Sequence, residues 1–244
     1  MLIVDDQIQS KFTHSGDQLQ ENLRYDFNLG LEDQVRCSFI SSLDDLGLSG
    51  LPLQEAYLDS YLLHAPLPTA TSTFTVWSAM EELVPHHVRS IGVSNVPLAI
   101  LKRIFDNSRI KPMIVQNRFV PELDYDADVR AFCKDNNIHY QAFGVLKSSG
   151  TSALLESSLV KALAVENMVS EESVLYYLIE ESLGIEVLNG VPDSRRIIKD
   201  LEDIAILRGS TSLPSRCVDW SGVWDEFREL LHPNTIIKSQ VQAT

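Results

Sequence analysis

Short apolar runs alternate along this chain with longer segments whose apolar positions recur every three or four residues. Leu2-Ile3-Val4 and then Gln7-Ile8-Gln9-Ser10-Lys11-Phe12-Thr13 alternate apolar and polar positions, which predicts a strand ending near Lys11. After a polar loop to Gly30, Leu31, Val35, Phe39, Leu43 and Leu46 share one helical face, so a helix is predicted over 31–46, ended by Gly47. A strand is predicted over 57–63, with His64 at its end and Pro66 stopping it, because proline cannot donate to a ladder. A Thr/Ser segment then caps a helix predicted over 74–83.

The pattern repeats with a strand over 88–95 and a helix over 96–105, then a strand over 112–117 and a helix over 126–136. A strand over 139–143 runs into a loop holding Ser148, Ser149 and Gly150. A helix over 170–183, a strand over 185–188 and a helix over 194–207 follow, and a last helix over 218–231 puts Trp220, Val223, Trp224, Phe227 and Leu230 on one face. Six short strands alternating with helices predict βα units and a parallel sheet. No linker divides the chain, so residues 1–244 read as one domain with a frayed tail over 232–244.

Composition narrows the class of partner. With 244 residues, 44% of them hydrophobic, the chain can bury a sizeable core. A net charge of -14 and a pI near 4.8 argue against nucleic acid, which requires clustered Lys and Arg. No apolar run is long enough to span a membrane and the N-terminus does not read as a signal peptide. Three cysteines without metal-type spacing, Cys37, Cys133 and Cys217, fit a reducing compartment, and the cytoplasm is the expected location.

Chemistry-bearing residues gather at the strand ends: Lys11, His64, Ser94 with Asn95, Gln116 with Asn117, Phe143, and Asn189 with Gly190. In a parallel barrel all these ends open on one mouth. Each has a plainer reading. Lys11 would serve as a surface lysine, His64 as a core-edge histidine, Ser94-Asn95 as a helix cap and Gln116 as a buried amide satisfied at a strand mouth. Together, a basic group, an imidazole, carboxamides and an aromatic ring suit a flat amide-bearing ring beside a carbonyl. They suit a metal poorly, since neither carboxylate nor cysteine joins His64 at ligand spacing. Arg195-Arg196 opens a helix against its dipole, which favours a nearby anion. His86-His87 reads as a solvated turn.

These stretches resemble the aldo-keto reductases. Leu58-Asp59-Ser60-Tyr61-Leu62-Leu63-His64-Ala65-Pro66 is similar to that family's strand-4 motif and Ile91-Gly92-Val93-Ser94-Asn95 to its strand-5 motif. Lys111-Pro112 with Val115-Gln116-Asn117 resembles strand 6, and Gln9-Ser10-Lys11-Phe12-Thr13 strand 3. Tyr140-Gln141-Ala142-Phe143, Val174-Leu175-Tyr176-Tyr177 and Leu188-Asn189-Gly190 bring it nearest to fungal members, including those of secondary-metabolite pathways.

The resemblance implies a (β/α)8 barrel of the TIM type, here incomplete and beginning at strand 3, with an extra C-terminal helix. It implies NADP(H)-dependent reduction of a ketone or aldehyde on a small apolar metabolite, in terpenoid or polyketide biosynthesis. His64 would polarise the carbonyl and Lys11 would be the catalytic lysine. Ser94, Asn95 and Gln116 would hold the nicotinamide carboxamide, Phe143 would stack on its ring in place of the family's tyrosine, and Arg196 would grip the 2'-phosphate. Where the family has a Pro-Lys-Ser motif this chain has Asn189-Gly190-Val191, which leaves NAD(H) open. The family's catalytic aspartate and proton-donating tyrosine have no counterpart upstream of Lys11, and Tyr25 and Tyr61 are the replacement donors to test. An N-terminally truncated barrel would offer an exposed strand edge for an oligomer. The alternatives are a catalytically impaired barrel acting as a binding or accessory protein, and a non-redox isomerase or cyclase.

Overall fold

The computed structural model describes residues 7–18, 24–52, 55–146, 152–190, 193–209, 220 and 222–231. The predictions that fall on Leu2-Ile3-Val4, the Ser148-Ser149-Gly150 loop, Val191, Val218 and the tail over 232–244 lie outside the described residues. The chain divides into two compact units, 1–116 with 131–139 and 117–130 with 140–244.

The first unit is built on parallel strands in chain order: β1 (Gln9–Phe12), β2 (Leu58–Leu63), β3 (Val88–Ser94) and the start of β4 (Ile114–Arg118). Its helices are α1 (Leu31–Asp45), α2 (Ala70–Glu81) and α3 (Leu98–Asn107), with the second half of α4 (Ala127–Asp135). The apolar face expected of α1 is the buried one, through Val35, Phe39 and Leu43, and Gly47 beyond it takes φ +70°, which glycine adopts at no steric cost.

Two helix starts differ from expectation. α2 begins at Ala70 rather than Phe74, because the Thr69 hydroxyl accepts from Ser72 N at 3.1 Å and nucleates the turn earlier. α3 begins at Leu98 rather than Val96, because Pro97 stands extended as the cap and a residue before proline is pushed out of the helical region.

The register aligns Leu62 with Gly92 and Gly92 with Ile114, and one row on, Ser94 with Gln116. Gly92 lets the strands approach: a Cβ there would meet the Ile114 carbonyl oxygen at 2.4 Å.

In the second unit β5 (His139–Phe143) pairs in parallel with β6 (Glu186–Val187), Gln141 opposite Glu186. α5 (Ser152–Leu155), α6 (Ser158–Asn167), α7 (Glu171–Leu183), α8 (Ser194–Leu207) and α9 (Val223–Leu230) complete it. The periodicity did not predict α6, which the Ser157 hydroxyl caps and which buries Leu159, Val160, Leu163 and Ala164. α7 buries Val174, Leu175, Leu178 and Ile179 completely, as its near-continuous apolar sequence requires, and ends at Gly184 with φ +64°. Among the described residues the last helix is Val223–Leu230, with Phe227 buried and Trp220 stacked on Trp224 at 5.0 Å.

Candidate active site

The strand ends of the first unit carry five of the seven expected residues. Lys11 pairs with Leu62 in the ladder, and His64 N donates to the Phe12 carbonyl at 2.8 Å, extending that ladder one step past β2. Since side chains alternate along a strand, Lys11, His64, Ser94 and Gln116 all project from one face of the sheet. His64, Ser94 and Gln116 form its outermost row, and Lys11 stands one row below.

Ser94 and Gln116 are buried at 1% and 3% exposure, and His64 and Lys11 are half-buried. Burial lowers the Lys11 ammonium below its ordinary value, since removal from water disfavours the charged form. Lys11 has no ion pair among the described residues.

Two residues that sequence reasoning missed share this face. Gln116 Nε2 donates to Gln9 Oε1 at 2.9 Å, and Gln9 Nε2 donates to Ser60 Oγ at 2.9 Å. The signal was available: both stand an even number of residues from a site residue on the same strand.

Asn95 is exposed and left-handed at φ +51°, which asparagine tolerates better than most residues. Its N–H donates to the Gln116 carbonyl at 3.1 Å, and its Nδ2 donates to the His64 carbonyl at 2.9 Å and to Ser94 Oγ at 3.2 Å. The side chain therefore ties the ends of β2 and β3 together. Neither Ser94 nor Asn95 caps α3, whose cap is Pro97.

The two tyrosines considered as proton donors are committed elsewhere. Tyr61 projects to the opposite face, fully buried, and its hydroxyl donates to Ser38 Oγ at 3.0 Å; burial pushes its phenol well above the ordinary value. Tyr25 stacks on Phe12 at 5.7 Å and donates to the Thr13 carbonyl at 2.6 Å. His87 lies against the Phe39 ring, 5.9 Å between centroids. No group of three or more His, Cys, Asp or Glu able to hold a metal occurs among the described residues.

The other two expected residues belong to the second unit. Phe143, at the end of β5, is half-exposed, and the Arg118 guanidinium lies 5.6 Å from its ring centroid. Arg196, in the first turn of α8, is exposed and bound to Glu172 at 2.6 Å, which raises its already high pKa. Asn189 Nδ2 donates to the buried Asp200 at 2.7 Å.

Asn117 turns to the opposite face from Gln116, where its Nδ2 and the Tyr140 hydroxyl both donate to Asp126 Oδ2 at 2.8 Å. Burial raises the Asp126 carboxyl, against the two hydrogen bonds that lower it.

A parallel α/β fold with a histidine, a lysine, a serine and a carboxamide on one face of its strand ends defines a class that comparison makes specific. The sequence matches the aldo/keto reductase family over residues 49–220, and the chain belongs to that family. It is 32% identical over 133 residues to an NADPH-dependent codeinone reductase of Papaver somniferum, covering 46% of this chain and 41% of that one. A 7-acetyl-epi-neemfruitin B aldo-keto reductase of Melia azedarach is 31% identical over 151 residues, 54% of this chain and 45% of that one. A 9,11-endoperoxide prostaglandin H2 reductase of Trypanosoma cruzi is 32% identical over 144 residues, 59% and 47%. Each match spans less than half the length of the relative, and these relatives are plant and protozoan.

Among solved structures, an aldo-keto reductase from a deep-sea metagenome library superposes with a TM-score of 0.63 at 24% identity, over 83% of this chain and 70% of that one. An aldose reductase of Giardia lamblia gives 0.63 at 21% identity over 91% and 70%. These likenesses show the fold, α/β of the (β/α)8 type, with six of its strands among the described residues.

Proposed function

We propose that this chain takes part in the NADP(H)-dependent reduction of a ketone or aldehyde. The observation that carries the reading is the single row of His64, Ser94 and Gln116 with Lys11 beneath it. Ser94 and Gln116 offer buried hydroxyl and amide groups, the chemistry a carboxamide needs on both its oxygen and its nitrogen. Phe143 offers a half-exposed ring for stacking. Arg196 would hold the 2'-phosphate by exchanging its Glu172 partner for the phosphate. NADH remains a second cofactor, since Asn189-Gly190-Val191 supplies no lysine there.

When bound, NADPH supplies the hydride: the carbonyl carbon gains it, the carbonyl oxygen gains a proton, and an alcohol and NADP+ result. His64 would donate a hydrogen bond to the carbonyl oxygen and then the proton. Lys11 would add positive potential beneath that oxygen and favour the charge that develops on it. General acid catalysis of this kind is worth about 10²–10⁴-fold.

The substrate proposed is a small, largely apolar metabolite. Its place in fungal secondary metabolism, of terpenoid or polyketide type, rests on the motifs around Tyr140–Phe143 and Val174–Tyr177, with plant relatives named for codeinone and 7-acetyl-epi-neemfruitin B. No helix among the described residues is long and apolar enough to cross a membrane, and we place the reaction in the cytoplasm. The edge of β1, whose described strand partner is β2, is the surface we propose for pairing with a second copy.

The test is NADPH consumption dependent on an added carbonyl, 4-nitrobenzaldehyde being a suitable probe. Turnover lost in both His64→Gln and Lys11→Met is the result expected. NADPH binding without turnover on any carbonyl would instead fit an accessory role.

A further inference from the structure

In the first unit Arg24, Arg36, Arg89 and Arg109 each face a carboxylate. Arg103, on α3, does not. It is exposed, and its guanidinium makes no ion pair and no hydrogen bond among the described residues. It lines a cavity of about 190 Å³ that lies between α3 and the start of α2, wholly within the first unit. Leu67 and Ile104 are buried and form the floor, Phe74 and Ile100 are half-buried, and Ala70 and Arg103 are exposed at the mouth. The side-chain hydroxyl in the wall, that of Thr73, is committed: it accepts from Leu67 N at 3.0 Å and lies 3.0 Å from the Thr69 carbonyl. An apolar hollow with one uncommitted cation at its rim is what remains.

We propose that this cavity binds a small aromatic carboxylate, its ring between α2 and α3 and its carboxylate on Arg103. An apolar cavity of about 150 Å³ is enough to hold benzene, so the space here suits a single ring, with Phe74 for it to pack against. A planar guanidinium binds a carboxylate through two parallel N–H bonds, which fixes orientation as well as charge. None of the lining residues is acidic, and the first turn of α2, whose N-terminus carries positive partial charge, holds no acidic residue either. In a chain of net charge -14 an anion meets repulsion over much of the surface, and this rim is an exception. Lys11, His64, Ser94 and Gln116 take no part in the lining, so the site stands apart from the reductase reading and needs no nucleotide.

Binding of 4-fluorobenzoate and of the uncharged 4-fluorobenzyl alcohol to the full chain is followed by fluorine NMR without nucleotide. The acid is expected to bind saturably, about 3- to 10-fold more tightly than the alcohol, because a bidentate pair is favourable but an exposed guanidinium is partly screened by water. Arg103→Gln removes the preference for the acid. Ala70→Phe, which sets a ring in the mouth, weakens both ligands. Both positions are exposed, so both variants keep the fold, which circular dichroism checks. His64→Gln leaves the binding as it was. No saturable binding of the acid by the unaltered chain overturns the proposal, as does equal binding of acid and alcohol. A preference undiminished in Arg103→Gln, or affinities undiminished in Ala70→Phe, overturns it too. Binding lost in His64→Gln and kept in both cavity variants assigns the acid to the strand ends and overturns it equally.

Discussion

Gln116 Nε2 and Gln9 Oε1 lie 2.9 Å apart, linking the first and fourth strands of the first unit over the face that carries His64 and Lys11. Gln9 in turn donates to Ser60. The Gln116 amide, which we propose holds the carboxamide, is thus itself oriented by a neighbour. Gln9→Leu should weaken NADPH binding by about 3- to 10-fold, the worth of one neutral hydrogen bond. Gln116→Leu should do at least as much, and the double variant little more than Gln116→Leu alone. Strict additivity in that cycle, read from binding titrations, would show that Gln9 does not act through Gln116.

Asn95 combines a left-handed backbone with a side chain that bridges to the His64 carbonyl. Asn95→Ala loses the bridge and keeps the strain, whereas Asn95→Gly loses the bridge and relieves the strain. Thermal or denaturant unfolding should therefore rank wild type above Asn95→Gly and Asn95→Gly above Asn95→Ala, with steps of about 1 kcal/mol.

Gly92 permits a close approach that no side chain allows. Because an alanine Cβ would meet backbone, the Ile114 carbonyl oxygen at 2.4 Å, the sheet itself has to shift. Gly92→Ala should cost about 2–3 kcal/mol or more in denaturant unfolding, at the upper end of overpacking changes. A neutral substitution would contradict the register of β3 and β4.

Lys11 has a folded-state pKa below its ordinary 10.5, through burial. Between the folded and unfolded values the unfolded chain binds more protons, so stability contributed by this group rises with pH in that window. Below the folded value the burial cost is fully present. Lys11→Met should therefore be more stable than wild type at neutral pH, and the difference should shrink as pH rises through the folded pKa toward 10.5. A difference independent of pH would show that the lysine does not titrate there.

The strands were legible because proline and glycine punctuate them and because each is short and apolar: β2 and β5 fall within a residue of the positions expected. Helix ends were less legible. The start of α2 depends on which of several Thr and Ser residues turns its hydroxyl back to the chain, and tertiary contacts decide that. α6 escaped because its apolar residues are interleaved with small ones and its cap, Ser157, sits in a serine-rich stretch.

Lys11, His64, Ser94 and Gln116 were expected at strand ends, and the register brings them to one face of the sheet. Gln9 and Ser60 share that face and were not expected, because they lie inside their strands. Arg196 was expected as an anion site, and its bond to Glu172 comes from a residue 24 positions away.

The measurement closest to the central claim is a titration of the purified chain with NADPH, followed by tryptophan fluorescence and compared with NADH and with Gln116→Leu. Saturable binding in the micromolar range, tighter for NADPH and weakened by the substitution, is the result predicted. A folded chain that binds neither nucleotide, or binds both unchanged in Gln116→Leu, would contradict it.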